Sequence, residues 1–186
     1  AYDKTDWRPN YFTISDQVLA RKIYNEVHNY IDVIHCPIDI GTYYDRCTTY
    51  YWKSLSAPKI MPNNNIKFSG NLSLGVHGGY SITYQNLQLA VHLGLNPIYI
   101  LGCDHNYRGE SDKKKVGLVE SNKSNHFISN YRFHGEKVNA APIERMTIAH
   151  CHAKKFADQE NIQIINVTRG GKLDVYDREN FEDLFL

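Results

Sequence analysis

The chain has no apolar stretch long enough to cross a membrane: its longest hydrophobic runs are only a few residues. Its opening segment, AYDKTDWRPN, lacks the basic start and apolar stretch of a signal peptide. It also lacks an initiator Met, which points to a processed or excised piece. Neither sign of charge dominates. Lys and Arg number 21 against 20 Asp and Glu, so formal net charge is +1 with nine His neutral. That excludes the basic field of a nucleic-acid binder and an acidic tail. Cysteine is sparse: Cys36, Cys47, Cys103 and Cys151 lie 11, 56 and 48 residues apart, with no Cys-x-x-Cys pair. This argues against a zinc site or a disulfide scaffold, and for reduced thiols in a cytoplasmic protein. Gly-x-Ser-x-Gly, His-Glu-x-x-His and Gly-x-x-x-x-Gly-Lys-Ser/Thr are all missing.

What remains is a chain of 186 residues, enough for one domain with a real core and short for two. A hydrophobic share of 42% and a charged share of 22% are those of an ordinary globular protein. Fourteen tyrosines stand out; each offers an apolar face with a polar tip, and half-buried strand positions use most of them.

Residues 10–15, NYFTIS, alternate as a strand does. Asp16 is placed to cap a helix from Gln17 carrying Val18, Leu19, Ile23 and Val27 at helical spacing. A second strand is expected within 32–40, with Pro37 pushing its far end to an edge or a loop. Residues 41–75 read as a long polar-aromatic loop, poor as helix or strand. Then comes the densest stretch: Gly78-Gly79, an amphipathic helix 81–93, Gly94, and a buried strand 97–101 ending on Gly102 and Asp104-His105-Asn106-Tyr107. A solvated loop follows over 108–124, with the Lys113-Lys114-Lys115 triplet. Pro142 starts a helix running to about Asp158, with Met146, Ala149, Ala153 and Phe156 inward. A strand over 162–167 and a short one over 173–176 complete the order. The alternation predicts one α/β domain over 1–186: a Rossmann-like open, mostly parallel sheet with helices on both faces.

Three constellations carry chemistry. Gly78 and Gly79 precede a helix start, where free N–H groups favour an anion, and Ser81 and Thr83 add hydroxyls. Asp104, His105, Asn106 and Tyr107 follow a strand's carboxyl end, where open α/β sheets bind ligands. A carboxylate there can hold a ribose hydroxyl, bind Mg²⁺ or act as base. Asn125, His126 and Phe127, with Tyr131, Arg132 and His134, combine proton-transfer residues with a cation. His150 and His152 flank Cys151, two apart, so on a helix they face different ways and no metal pair is expected. The aromatic run from Tyr43, including Tyr51 and Trp52, could stack a sugar.

The segments DKTDWRPNYF (3–12), GGYSITYQNLQLA (78–90), LGLNPIYILGCDHNY (93–107), NHF with Tyr131, IERM (143–146) and NVTRGGKLDVY (166–176) resemble the bacterial DUF115 proteins. That family is labelled 6-hydroxymethylpterin pyrophosphokinase MptE-like and includes the Maf proteins tied to surface polysaccharide and flagellin glycosylation. The likeness runs nearly end to end. The family's opening strand and Gly-Asn-Gly-Pro-Ser-Leu-type turn have no counterpart in this sequence, which implies either a chain truncated ahead of residue 1 or a missing first strand and an incomplete nucleotide site. A more distant likeness is to bacterial sialyltransferases that use CMP-sialic acid. It implies a nucleotide-sugar site under Ser81, Asp104 and Tyr107. Two positions depart from that pattern: Asn130 stands where the base histidine is expected, and Asn106 where a tyrosine is. His126 or His134 would then be the base.

The leading expectation is a bacterial glycosyltransferase-like enzyme. It would use a CMP- or UDP-linked sugar and a glycan or protein acceptor, with no resident cofactor or metal. His126 is the expected base, Asp104 holds nucleotide or sugar, and Tyr131, Arg132, Tyr51 and Trp52 line the substrate side. One alternative is an MptE-like pterin pyrophosphokinase using ATP and Mg²⁺, for which Asp16 and Asp104 are the placed carboxylates. Another is a non-catalytic nucleotide- or glycan-binding module.

Overall fold

The computed structural model describes residues 5–40, 48–55, 66–107, 118–121 and 135–185. They form an α/β protein built on short parallel sheets. The first unit contains β1 (Phe12–Thr13), α1 (Gln17–Val27), β2 (Val33–Pro37) and β3 (Thr48–Trp52), and its sheet order is β1-β2-β3, all parallel. Asp16 starts α1 from an extended backbone, and its Oδ1 accepts from the N–H groups of Val18 (2.8 Å) and Leu19 (3.1 Å). Those are two of the donors that a helix start leaves unpaired. Its other oxygen accepts from Asn139 Nδ2 at 3.1 Å. Asp16→Ala is therefore expected to cost about 1 kcal/mol, read as a lower urea midpoint at unchanged slope.

The inward stripe of α1 differs from the expectation. Ala20 and Val27 are fully buried with Ile14, Ile31, Ile34, Cys36 and Ile40, whereas Val18 is 42% exposed. As expected, the strand stops at Pro37 and residues 38–40 turn, although β2 itself is the central strand and not an edge. Pro37 is its last residue, so its missing N–H falls where the ladder stops, and Ile38 resumes with its N–H to Trp52 O. Residues 48–52, read from sequence as loop, are a strand. Their β-branched and aromatic side chains fit a pleated surface once β2 supplies the partner.

The second unit contains α2 (Ile82–His92) and β4 (Ile98–Ile100). Next come β5 (Leu118–Ser121) and β6 (Glu136–Asn139), an antiparallel pair within a stretch expected to begin as loop. Then follow α3 (Ile143–Gln159), β7 (Ile164–Asn166) and β8 (Asp177–Arg178). The second parallel sheet runs β4-β7-β8. Its core joins Tyr84 and Leu87 of α2, Ile98 and Ile100 of β4, Ile164 of β7, and Ala149, Ala153 and Ala157 of α3. Three alanines four apart leave a smooth stripe on α3 against which larger side chains pack.

Two strand expectations shift here. β4 is buried on one face only, since Tyr99 is exposed between buried Ile98 and Ile100. The short strand expected at 173–176 lies instead at 177–178. Leu173 and Tyr176 are apolar because they fill the core, and the backbone pairs only after them. Thr13 Oγ1 donates to Asn86 Oδ1 at 2.6 Å, joining β1 to α2. No helix among the described residues is long and apolar enough to cross a membrane.

Candidate functional site

The carboxyl ends of β4 and β7 point the same way, and a loop leaves each. The β4 loop is Leu101 to Tyr107 and the β7 loop is Val167 to Lys172. They are stitched together by three hydrogen bonds, two between backbone groups and one to a side chain. Val167 N–H donates to Ile100 O (2.9 Å), Cys103 N–H to Thr168 Oγ1 (3.0 Å), and Lys172 N–H to Asp104 O (2.7 Å). The stitch requires a glycine at 171. Its φ is +93°, and a Cβ there would sit 2.6 Å from Asp104 O and 2.8 Å from Asp104 Cα. Gly171→Ala must therefore separate the two loops. We expect a loss of about 2 kcal/mol, measured by urea unfolding, from left-handed backbone plus backbone overlap.

Asp104 is exposed, and its Oδ1 accepts from Asn106 N–H at 3.1 Å, which fixes a tight turn. His105 is 4% exposed with φ +55°, a left-handed conformation rare for a non-glycine residue. Its Nε2 lies 3.0 Å from Thr147 Oγ1, on the second turn of α3. Tyr80 is left-handed as well, at φ +64°. It too is tied to the start of α3: Arg145 Nη1 donates to Tyr80 Oη at 3.1 Å, and the guanidinium lies 5.8 Å over the Tyr80 ring. Two strained non-glycine residues thus converge on Arg145 and Thr147. Such strain persists where surrounding structure over-determines it, and functional sites are where it collects.

The α2 start lies on the same side. Ser81 is its cap, with Oγ accepting from Tyr84 N–H at 3.1 Å. Thr83 faces the Cys103 thiol, and burial pushes that thiol up despite the Thr83 hydroxyl. Gly79 has φ +57°, and a Cβ there would overlap the buried Tyr84 ring at 2.1 Å, whereas Gly78 opens onto free space. The glycine pair thus divides its work: Gly79 seats Tyr84, and Gly78 leaves backbone accessible. α3 opens at Pro142 with no side-chain cap, unlike α1 and α2.

Behind the loops lies a buried polar cluster that sequence reasoning missed. His150, fully buried on α3, places Nδ1 2.9 Å from Tyr176 Oη. Its ring centre is 6.0 Å from that of His105 and 6.2 Å from that of Tyr84, both nearly perpendicular. Burial, with His105 nearby, pushes His150 down to about 4. Burial also lowers His105, partly opposed by the Ile143 carbonyl and the Asp104 carboxylate. The phenols of Tyr176 and Tyr84 are pushed up by burial. A usable signal did exist: His150 follows Met146 by four, on the apolar stripe of α3.

The other expected site residues are placed as follows. Asn106 and Tyr107 are half-buried, and the Tyr107 ring meets His105 edge-on at 6.3 Å. Trp52 is buried whereas Tyr51 is half-exposed on the other face of β3, so they form no common surface. The aromatic surface on this sheet is instead Tyr50 stacked on His35 (5.0 Å between centres), with Tyr11 on the same ring at 5.4 Å. His126, Tyr131, Arg132 and His134 lie outside the described residues, as does Asn130. Among the described residues no group of three or more His, Cys, Asp or Glu is arranged to hold a metal ion. No family model, no curated protein and no solved structure matches the chain.

Proposed function

We propose that the chain is a glycosyltransferase-like enzyme of the DUF115/MptE-like type, with a Rossmann-like site for a CMP- or UDP-linked sugar at the carboxyl ends of β4 and β7. The observation that carries this is the convergence of left-handed Tyr80 and His105 on Arg145 and Thr147 of α3. In parallel α/β proteins ligands bind outside the carboxyl ends of the strands. The Arg145 guanidinium and the start of α3 supply the positive potential that suits a phosphoryl group. Asp104 has one carboxylate oxygen in its own turn, and its second oxygen would accept from ribose or sugar hydroxyls. The donor class rests on the resemblance of segments 78–107 and 166–176.

In this mechanism the acceptor hydroxyl attacks the anomeric carbon as its proton passes to His126 or His134. The bond to the nucleotide phosphate breaks, and the leaving phosphate carries the electron pair. Arg145 and Tyr107 stabilise that charge as it develops. The sugar passes to a surface glycan or protein.

The pterin pyrophosphokinase reading is less well supported. Its Mg²⁺ would need oxygen ligands from Asp16 and Asp104. Both oxygens of Asp16 are already engaged, in capping α1 and in accepting from Asn139. Asp104 alone fits poorly as a site for Mg²⁺ between two phosphates.

A thermal-shift panel of CMP, CDP, UDP, GDP and ATP, each with and without Mg²⁺, tests the proposal. A ligand at about a hundred times its dissociation constant adds about 2.7 kcal/mol of stability. We expect a shift with CMP or UDP independent of metal. A shift with ATP alone, and only with Mg²⁺, would reverse the order of the two enzyme readings. No shift with any nucleotide would leave a glycan-binding module, with exposed Tyr11 and Tyr50 beside His35 as its sugar-stacking face.

A further inference from the structure

Four side chains between β8 and the start of α3 form a line: Tyr176, His150, His105 and Thr147. Their donor and acceptor roles can be assigned from the ends inward. Thr147 Oγ1 donates to Ile143 O at 2.9 Å, so its hydroxyl hydrogen is taken. It can then only accept from His105, which puts the His105 proton on Nε2 and a lone pair on Nδ1. At the other end the Tyr176 hydroxyl is 2.9 Å from His150 Nδ1 and 3.4 Å from His150 O. The shorter contact takes the hydroxyl hydrogen, so Nδ1 of His150 accepts and its proton sits on Nε2.

The two ring nitrogens left over are His105 Nδ1 and His150 Nε2, both buried and without another partner. One is an acceptor and the other a donor, on perpendicular rings 6.0 Å apart. Buried polar atoms in native proteins are hydrogen-bonded, directly or through an ordered water. Each ring supplies what the other lacks. No direct hydrogen bond joins the two rings; a single ordered water accepting from His150 Nε2 and donating to His105 Nδ1 would give the chain one direction, from Tyr176 through both rings to Thr147 and the Ile143 carbonyl.

We propose that such a water bridges the two rings, which makes His150 a positioning residue: with Tyr176 it reinforces the Nε2–H form of His105 that Thr147 selects, and so helps hold the left-handed 104–107 turn against α3. A neutral imidazole with the opposite proton could not donate to Thr147, and the turn would lose its anchor. Hydrogen bonds aligned head to tail reinforce one another, so the effect of Tyr176 should be felt beyond its own neighbour. The bearing on nucleotide binding rests on the function proposed above; the chain itself does not.

The test is ¹⁵N NMR of the histidine rings at pH 7, where long-range couplings report which nitrogen carries the proton. We expect Nε2–H for both His105 and His150 in the unmodified protein. In Tyr176→Phe, which keeps the ring, we expect His150 to mix tautomers and the His105 ring shifts to move. The Asn106 amide, held to Asp104, should exchange about tenfold faster. His150→Gln should have the same effects on His105 and Asn106. A His105 proton on Nδ1 in the unmodified protein would overturn the proposal, and that measurement needs no variant to fold. So would a His105 ring and an Asn106 amide untouched by either substitution. If CMP and UDP fail to bind while the tautomers are as expected, the nucleotide reading falls and the chain stands.

Discussion

Gln88→Leu is expected to destabilise the protein by about 4 kcal/mol, although leucine is similar in size and more apolar. Gln88 is fully buried on α2 and uses both ends of its amide. Oε1 accepts from Ser69 N–H (3.1 Å) and His77 N–H (2.9 Å). Nε2 donates to His77 O (2.8 Å) and Tyr84 O (3.2 Å). Leucine would leave the Ser69 and His77 N–H groups and the His77 carbonyl without those partners. Each orphaned buried group costs about 1–3 kcal/mol. Ser69 and His77 are half-buried, so water recovers part of that and the total stays near the lower half of the range. The 69–77 segment leads directly into Gly78 and Gly79, so its release would also loosen the α2 start. Urea unfolding measures the loss. A loss under about 1 kcal/mol would mean that Gln88 does not pin this segment.

Gln88 also marks where sequence reading stops. A glutamine inside an amphipathic helix reads as an outward residue, because its partners are backbone groups 11 and 19 residues away. Local signals did carry the elements they govern. The Asp16 cap, the helix after Ser81 and the strand before Gly102 all stand where residue chemistry put them. What failed depended on a distant partner. Residues 48–52 became a strand only beside β2, and 173–176 lost its ladder to core packing around Tyr176. The candidate site was legible in part for the same reason. Asp104 to Tyr107 announced itself through a strand ending in glycine. Arg145 and Thr147 joined it only through the approach of α3, which no local pattern records, and the spacing of His150 from Met146 marks it as inward without saying that it meets His105. The strain at Tyr80 and His105 is likewise a tertiary fact, invisible in residues that would elsewhere be ordinary.

Acidification is expected to remove about 3 kcal/mol of stability through His150 alone as pH falls from 6.5 towards 4. Burial holds this imidazole down from its ordinary 6.5 to about 4 in the folded chain. In the unfolded chain it protonates near 6.5, so between those values the unfolded state binds one more proton. Its share of stability is therefore fully present above 6.5 and is lost as pH falls through the window, at up to about 1.4 kcal/mol per pH unit. The groups facing it do not cancel this. Tyr176 and Tyr84 stay neutral throughout, as does the Cys103 thiol, since burial pushes all three up. His105, facing it across 6.0 Å, is lowered by burial as well and adds to the same sign, with Asp104 offsetting part of its shift. His35 and His77, also lowered by burial, steepen the slope further. Urea unfolding at half-unit steps from pH 8 to 4.5 reads the slope, and His150→Gln should flatten it by about one proton. Equal stability at pH 7 and 4.5, or a slope that His150→Gln leaves unchanged, would show that His150 is not held neutral by its surroundings. The buried chain from Tyr176 to Thr147 would then have lost its central donor.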